Sequence, residues 1–366
     1  MPDACTLSGG DSVRIRVYAF WTATGWGRWS AVDHLEELAS ARRQALLMDV
    51  LILTTAVTVK ELRLYMRGWR VPAVITLYLL ALGIMAFAPL AAMWHGSVVT
   101  VPRVATAGAD LFTLLSLLQL SLLVFVAPIS TASALSGERQ RGTMDLLLVS
   151  RLPSAGIVLG KLAAALAFDL LLLLCSLPLF GMSWILGGAA PEQIAEESML
   201  TLGTVLVLSA AGLCVSAVTA RVSTAALLSN LFAFGLVFGL ALALVTLAPQ
   251  QVVVYRYGLN GMLLANGGVP VPPQLPWPAY IDPLFALLAV LPPAPSALVP
   301  AVLLNLGSPI HDVAGLPVEL WQCTVAIHCS LSLLFVLISS LVVRPRRSSR
   351  RVSALLSPCR RPVRRV

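Results

Sequence analysis

Charge is what this chain has least of. Asp, Glu, Lys and Arg make up only 11% of its 366 residues, while 58% are hydrophobic. A soluble domain carries roughly 25% charged residues, and no core in a chain of this length could hide so much apolar side chain from water. A soluble globular fold is excluded, and the class is an all-α polytopic membrane protein. Lysine is nearly absent: Lys60 and Lys161 stand against 23 arginines. A net charge of +8 would suit nucleic acid. The arginines flank apolar runs, however, without the interleaved aromatics that base stacking needs, so no nucleic-acid partner is expected. The six cysteines are scattered, several within apolar runs, and follow no disulfide or metal-ligand spacing. No metal site is read from them. The first residues lack the continuous apolar stretch of a signal peptide, so a transmembrane helix is expected to lead insertion.

What the chain has instead is long apolar runs. A bilayer core needs about 20 mostly apolar residues per helix. Six stretches meet that, over 71–93, 111–129, 156–179, 199–220, 223–247 and 323–343. Pro72, Pro128 and Pro178 fall near span ends in this layout, where a missing N–H costs least. The layout puts 23 of the 25 Lys and Arg residues on one side, leaving only Arg103 and Arg256 on the other. The positive-inside rule then places both termini in the cytoplasm. Trp69, Trp94, Trp184 and Trp321 sit at span ends, the interface depth that amphipathic rings favour.

Two further segments have membrane character. In "TAVTVKELRLYMRGWR" (55–70), Val59, Leu62 and Met66 share one helical face, and Lys60, Arg63, Arg67 and Arg70 lie largely elsewhere. It reads as an amphipathic helix in the inner interface, with a solvated juxtamembrane helix as the alternative. The stretch 283–306 is long enough to cross but contains Pro292, Pro293, Pro295 and Pro300. Short helices dipping into the outer leaflet are expected there rather than a seventh span.

The sharpest feature is "SGERQRGTMDLLL" (136–148), where Glu138, Arg139, Arg141 and Asp145 gather between the second and third spans. Thr143 suits an N-cap, and Asp145 in the first turn suits the positive end of a helix dipole. Met144, Leu147 and Leu148 then share a face, and Pro153 ends the short helix. Glu138 and Arg141, three apart, are placed to brace each other or to meet a partner. A solvated loop would explain the charges but not the apolar face, whereas a partner protein explains both.

With these residues in view, the chain resembles the type 2 ABC (ATP-binding cassette) export permeases. Their run E-R-x-x-G-T-(L/M)-(D/E)-L-L-L, followed by a proline and a glycine–lysine, is matched at Glu138, Arg139, Gly142, Thr143, Met144, Asp145, Leu146, Leu147, Leu148, Pro153, Gly160 and Lys161. "VKELRLYMRGWR" is similar to the family's interfacial helix at Lys60, Glu61, Leu62, Arg63, Arg67 and Arg70. The resemblance is strong over 127–180 and looser over the rest of 57–347. It implies that 136–152 is a coupling helix docking on a cytoplasmic ATPase through Glu138, Arg139, Arg141, Gly142, Thr143, Asp145, Leu147 and Leu148. It also implies re-entrant outer helices between spans five and six. A second permease subunit, identical or different, would complete a substrate path in the inner (plasma) membrane. The 1–56 extension, expected to be cytoplasmic and partly disordered, departs from the family pattern. Residues 348–366 form a basic cytoplasmic tail.

No ATP site is read in the chain itself. "GIVLGKL" (156–162) is one residue short of a P-loop and has Leu162 in place of Ser or Thr. "LSGGD" (7–11) has no nucleotide-binding domain around it. ATP, the one cofactor implied, would sit on the partner. Asp169, midway along the third span, is either a pathway or interface group or a hydrogen-bonded structural acid. Asp110 reads as a helix cap at the outer edge of the second span. Two other classes stay open: an integral-membrane enzyme using Asp110, Asp169 or His95 on a lipid, and a secondary transporter. The enzyme would gather polar residues at one depth, and the transporter would show repeated halves.

Overall fold

The computed structural model describes residues 55, 57–63, 68–94, 101–144, 154–247, 277–292 and 319–343. These residues are helical, with no strand among them. A short helix α1 (57–63) precedes α2 (Arg70–Trp94), α3 (Val101–Gln140), α4 (Ser154–Ile185) and α5 (Pro191–Val218). Next, α6 (Val222–Phe234) passes through a π-helical turn (Gly235–Gly239) into α7 (Leu240–Leu247). A 3₁₀ turn (Trp277–Tyr280) leads to α8 (Pro283–Val290), and α9 (Leu320–Val342) follows. Six stretches are long and apolar enough to cross a membrane: Val71–Ala91, Val104–Gln140, Ser154–Ile185, Pro191–Val218, Val222–Ala243 and Leu320–Val342. The protein is a multi-pass helical membrane protein.

The second and fourth spans are longer than their apolar runs. Hydropathy stops at Asp110 and Ser136, but α3 continues through both because their side chains are buried inside the bundle. Asp110 therefore lies well inside the helix and is not its cap. Pro128 and Pro178 likewise fall within helices and not at span ends. Pro128 has no N–H to donate to the Val124 carbonyl one turn back; just beyond it, the hydroxyls of Ser130 and Thr131 donate to the Ala127 carbonyl, at 2.7 and 3.4 Å. α5 begins at Pro191, eight residues before its apolar run, with the Ala190 N–H donating to Gln193 Oε1 (3.0 Å).

α5 is the most enclosed of the six spans and touches α3, α4, α6, α8 and α9. Small residues let it come close: a Cβ at Gly212 would strike Thr131 Oγ1 and the Pro128 carbonyl of α3. By contrast, Leu77, Leu80, Ile84 and Phe87 of α2 and Leu333, Leu334, Leu337 and Leu341 of α9 are exposed. They recur at helical spacing and form apolar stripes suited to lipid.

The two ends of α3 are held differently. At its N-terminal end, Gly108 lies against Gly188 so closely that a Cβ on either would fall on the other's backbone. Ser183 donates to the Gly108 carbonyl (2.8 Å), and Gly187, at φ +76°, turns the chain from α4 toward α5. The C-terminal end carries the charged cluster.

Candidate functional site

α3 ends in a Schellman motif. The Thr143 N–H donates to the Glu138 carbonyl (3.0 Å) and the Gly142 N–H to the Arg139 carbonyl (3.2 Å). Gly142 takes φ +69°, a left-handed conformation that favours glycine. The Thr143 hydroxyl also reaches back to the Glu138 carbonyl (3.2 Å). Thr143 stands directly before helical Met144, the position of an N-cap. The bonds of that cap would fall on Asp145 and beyond. Asp145, Leu147 and Leu148, with the rest of 145–153, lie outside the described residues.

The five described residues of the predicted coupling set divide into two groups. Glu138 and Arg139 turn inward. Lys161 of α4, 5% exposed, donates to Glu138 Oε1 at 2.7 Å and to Glu61 Oε1 of α1 at 3.0 Å. Glu138 is thus paired with Lys161 and not braced against Arg141, which is exposed at the end of the helix. Arg139 donates to the carbonyls of Ala217 (2.8 Å) and Thr219 (3.0 Å), satisfying the C-terminal end of α5, where cations are favoured. Beside it, Ser216 enters the ladder of α3. It accepts from the N–H groups of Leu135 (3.1 Å) and Ser136 (2.9 Å) and donates to the Ala132 carbonyl (2.6 Å). Arg141, Gly142 and Thr143 form the outward set; all three are exposed.

α1 presents a different face from the one its pattern suggests. Val57, Thr58, Glu61 and Leu62 are partly buried, whereas Val59, Lys60 and Arg63 are exposed. Val59 was grouped with Leu62 by apolarity. The Glu61–Lys161 pair and the Thr58 hydroxyl, which donates to the Gly160 carbonyl (3.3 Å), set the rotation instead. Met66 and Arg67 lie outside the described residues, as does the side chain of Arg70.

Asp169 is fully buried, sixteen residues into α4, and its Oδ2 accepts from Ser209 of α5 (3.3 Å). The carboxyl thus joins two helices of one chain, and its Oδ1 has no partner. A larger polar group escaped the sequence reading. The Tyr78 hydroxyl of α2 donates to Gln119 Oε1 of α3 (3.1 Å), whose amide reaches Glu197 Oε1 of α5 at a long 3.4 Å. Thr201 donates to the same carboxylate oxygen (2.9 Å). All four are buried. The signal for it was the spacing of Glu197, Thr201 and Thr204, one stripe of a helix, hidden because the apolar run begins only at Met199. His328 of α9 was also missed. Its Nε2 donates to the Ile281 carbonyl (3.0 Å), and its Nδ1 lies 3.4 Å from Thr204 Oγ1.

Near that histidine, Asp282 caps α8 by accepting from the Leu284 N–H (2.8 Å), with Pro283 at the first helical position. Burial pushes the Asp282 carboxyl up to about 7, against the pull of the Leu284 and Phe285 N–H groups. α8 ends at Val290, before Leu291 and Pro292, so the proline-rich stretch does break as expected; 293–318 lie outside the described residues. Among the described residues, the buried polar groups are thus spread along the bundle. Compared with known proteins, the chain matches no protein-family model and no curated protein sequence.

Proposed function

We propose that the chain is the membrane-spanning permease subunit of an ATP-driven exporter of the type 2 ABC kind. It would work as a dimer, with itself or a similar subunit, and be energised by a separate ATP-binding polypeptide. The observation that carries this reading is the division of the charged cluster. Arg141, Gly142 and Thr143 stand exposed on a tight turn, while Glu138 and Arg139 beneath them are tied to α1, α4 and α5. A turn so anchored transmits a push at its tip to several membrane helices at once, and a merely solvated loop needs no such anchoring. In this reading 136–152 is the coupling segment, with Met144, Leu147 and Leu148 supplying the apolar face that docks on the ATPase.

The same reading sets the orientation. The cluster, α1 and both termini are cytoplasmic in the inner (plasma) membrane, and α8 is a re-entrant helix in the outer leaflet. Its burial against α5 and α9, with an N-terminus capped by Asp282, suits a segment whose backbone is satisfied without crossing. The substrate path runs between the two permease subunits, and Asp169 braces α4 on α5 within each. The test is purification of the tagged chain from its native membranes in mild detergent. An ATP-hydrolysing subunit should co-elute, and the chain alone should bind no ATP. Saturable ATP binding by the lone chain would overturn the two-polypeptide scheme.

A further inference from the structure

Lys161 serves two carboxylates with one ammonium. Its Nζ is nearly sealed from solvent and lies 3.0 Å from Glu61 and 2.7 Å from Glu138. Among the described residues, the junction therefore holds one positive charge for two carboxylates. The deficit falls on Glu138, whose Oε2 is buried without a hydrogen-bond partner. The two acids also belong to elements of different character. Glu138 sits in the last turn of the 40-residue helix α3, next to the exposed Arg141–Thr143 tip. Glu61 sits on α1, which is joined to α4 by that ion pair and by the longer Thr58–Gly160 bond. Among the described residues, Arg139 is engaged with the α5 carbonyls and Lys60 and Arg63 face outward, so none of the three replaces Lys161 at this point.

We propose that Lys161 is a shared latch for α1. Glu61 and Glu138 compete for its ammonium, so moving Glu138 away tightens α1 on the bundle and moving it closer loosens α1. Attraction to one carboxylate is weakened by the field of the other, and in a site sheltered from water that field is poorly screened. Lys161 is then a positioning residue, which passes a displacement of the α3–α4 turn on to the amphipathic helix. That the displacement comes from an ATPase rests on the exporter reading above. The latch itself rests only on Glu61, Glu138 and Lys161, and its test needs the chain alone.

The experiment is amide hydrogen exchange of residues 57–63 in the full-length chain, reconstituted in phosphatidylcholine nanodiscs. Glu61→Gln and Lys161→Met should each speed exchange in this segment about tenfold, as expected when a helix loses its main tie. Lys161→Arg should keep wild-type protection, because the charge remains. Glu138→Gln should slow exchange in 57–63 by leaving Glu61 the undivided ammonium. A purely structural salt bridge predicts the reverse, since losing either acid would loosen the site. Unchanged or faster exchange in Glu138→Gln overturns the competition, and unchanged exchange in Glu61→Gln overturns the latch. Protection of Arg70–Trp94 in the same samples reports whether each variant is folded. Should Lys161→Met fail that control, the two glutamine variants decide the matter.

Discussion

The two ends of α3 solve one problem with opposite chemistry. At the Gly108 end the backbones of Gly108 and Gly188 touch, leaving no room for a single methyl group. At the Gly142 end long side chains span the gaps, with Lys161 reaching Glu138 and Glu61, and Arg139 reaching the end of α5. Backbone contact has no slack, whereas ion pairs on flexible stems can lengthen, rotate and change partners. The difference marks the glycine end as the fixed joint and the charged end as the one able to move. The exporter proposed above, driven from one side, would need that division of labour.

Breaking the fixed joint should have the largest effect. Gly188→Ala puts a Cβ onto the Gly108 backbone, and backbone cannot be displaced the way a side-chain tip can. Overpacking of this kind costs about 3 kcal/mol or more. The expected result is aggregation or loss of the monodisperse peak in size-exclusion chromatography. Next comes the buried polar layer between the ends. Glu197→Leu strands the Gln119 amide and the Thr201 hydroxyl in an apolar core, at about 1–3 kcal/mol. Tyr78→Phe, which leaves Gln119 Oε1 short of one donor, should cost about 1 kcal/mol. Thermal unfolding in detergent orders the three variants, and equal midpoints for Glu197→Leu and wild type would remove that layer from the account.

Weaker effects belong to the charged end and to α8. Arg139→Gln should lower stability by about 1 kcal/mol, since α5 loses a charged cap that is partly solvated. Asp282 adds a pH dependence. Its folded-state pKa of about 7 lies above the ordinary carboxylate value, so the stability it contributes is full below about pH 4 and is lost as pH rises toward 7. Asp282→Asn keeps an N-cap but cannot ionise, so it should flatten that slope in unfolding midpoints measured from pH 5 to 8. An unaltered slope would place the titrating group elsewhere. Arg141→Ala, at an exposed turn, should change stability by less than about 0.5 kcal/mol.

Much of the architecture was legible because lipid imposes a simple rule: some 20 apolar residues make a span. Each of the six apolar runs coincides for most of its length with a helical stretch long enough to cross, although 199–220 overshoots α5 by two residues and 223–247 is interrupted by the π-helical turn. Their ends were not legible, since hydropathy treats Asp110, Ser136 and Glu197 as exits from the membrane. Each is in fact buried against other helices, a relation that no local window contains. The cluster at 136–148 stood out by charge alone, but the division between inward Glu138 and outward Arg141 depends on Lys161, a residue of the next helix that pairs with Glu138. The Glu61–Lys161 pair joins residues 100 apart in sequence, and it turned α1 away from the face its apolar spacing suggested.

The central claim is that the α3–α4 turn is a docking point for an ATPase and is not a polar loop. Leu147→Asp tests it most directly, because it puts a carboxylate where a docked helix would present hydrocarbon, at a cost of several kcal/mol. Membrane level and ATPase co-purification should be measured together for the wild type, Leu147→Asp and Arg141→Ala. The account predicts unchanged membrane levels, an ATP-hydrolysing subunit with the wild type, and its loss from Leu147→Asp. Undiminished co-purification of that subunit with Leu147→Asp would contradict it.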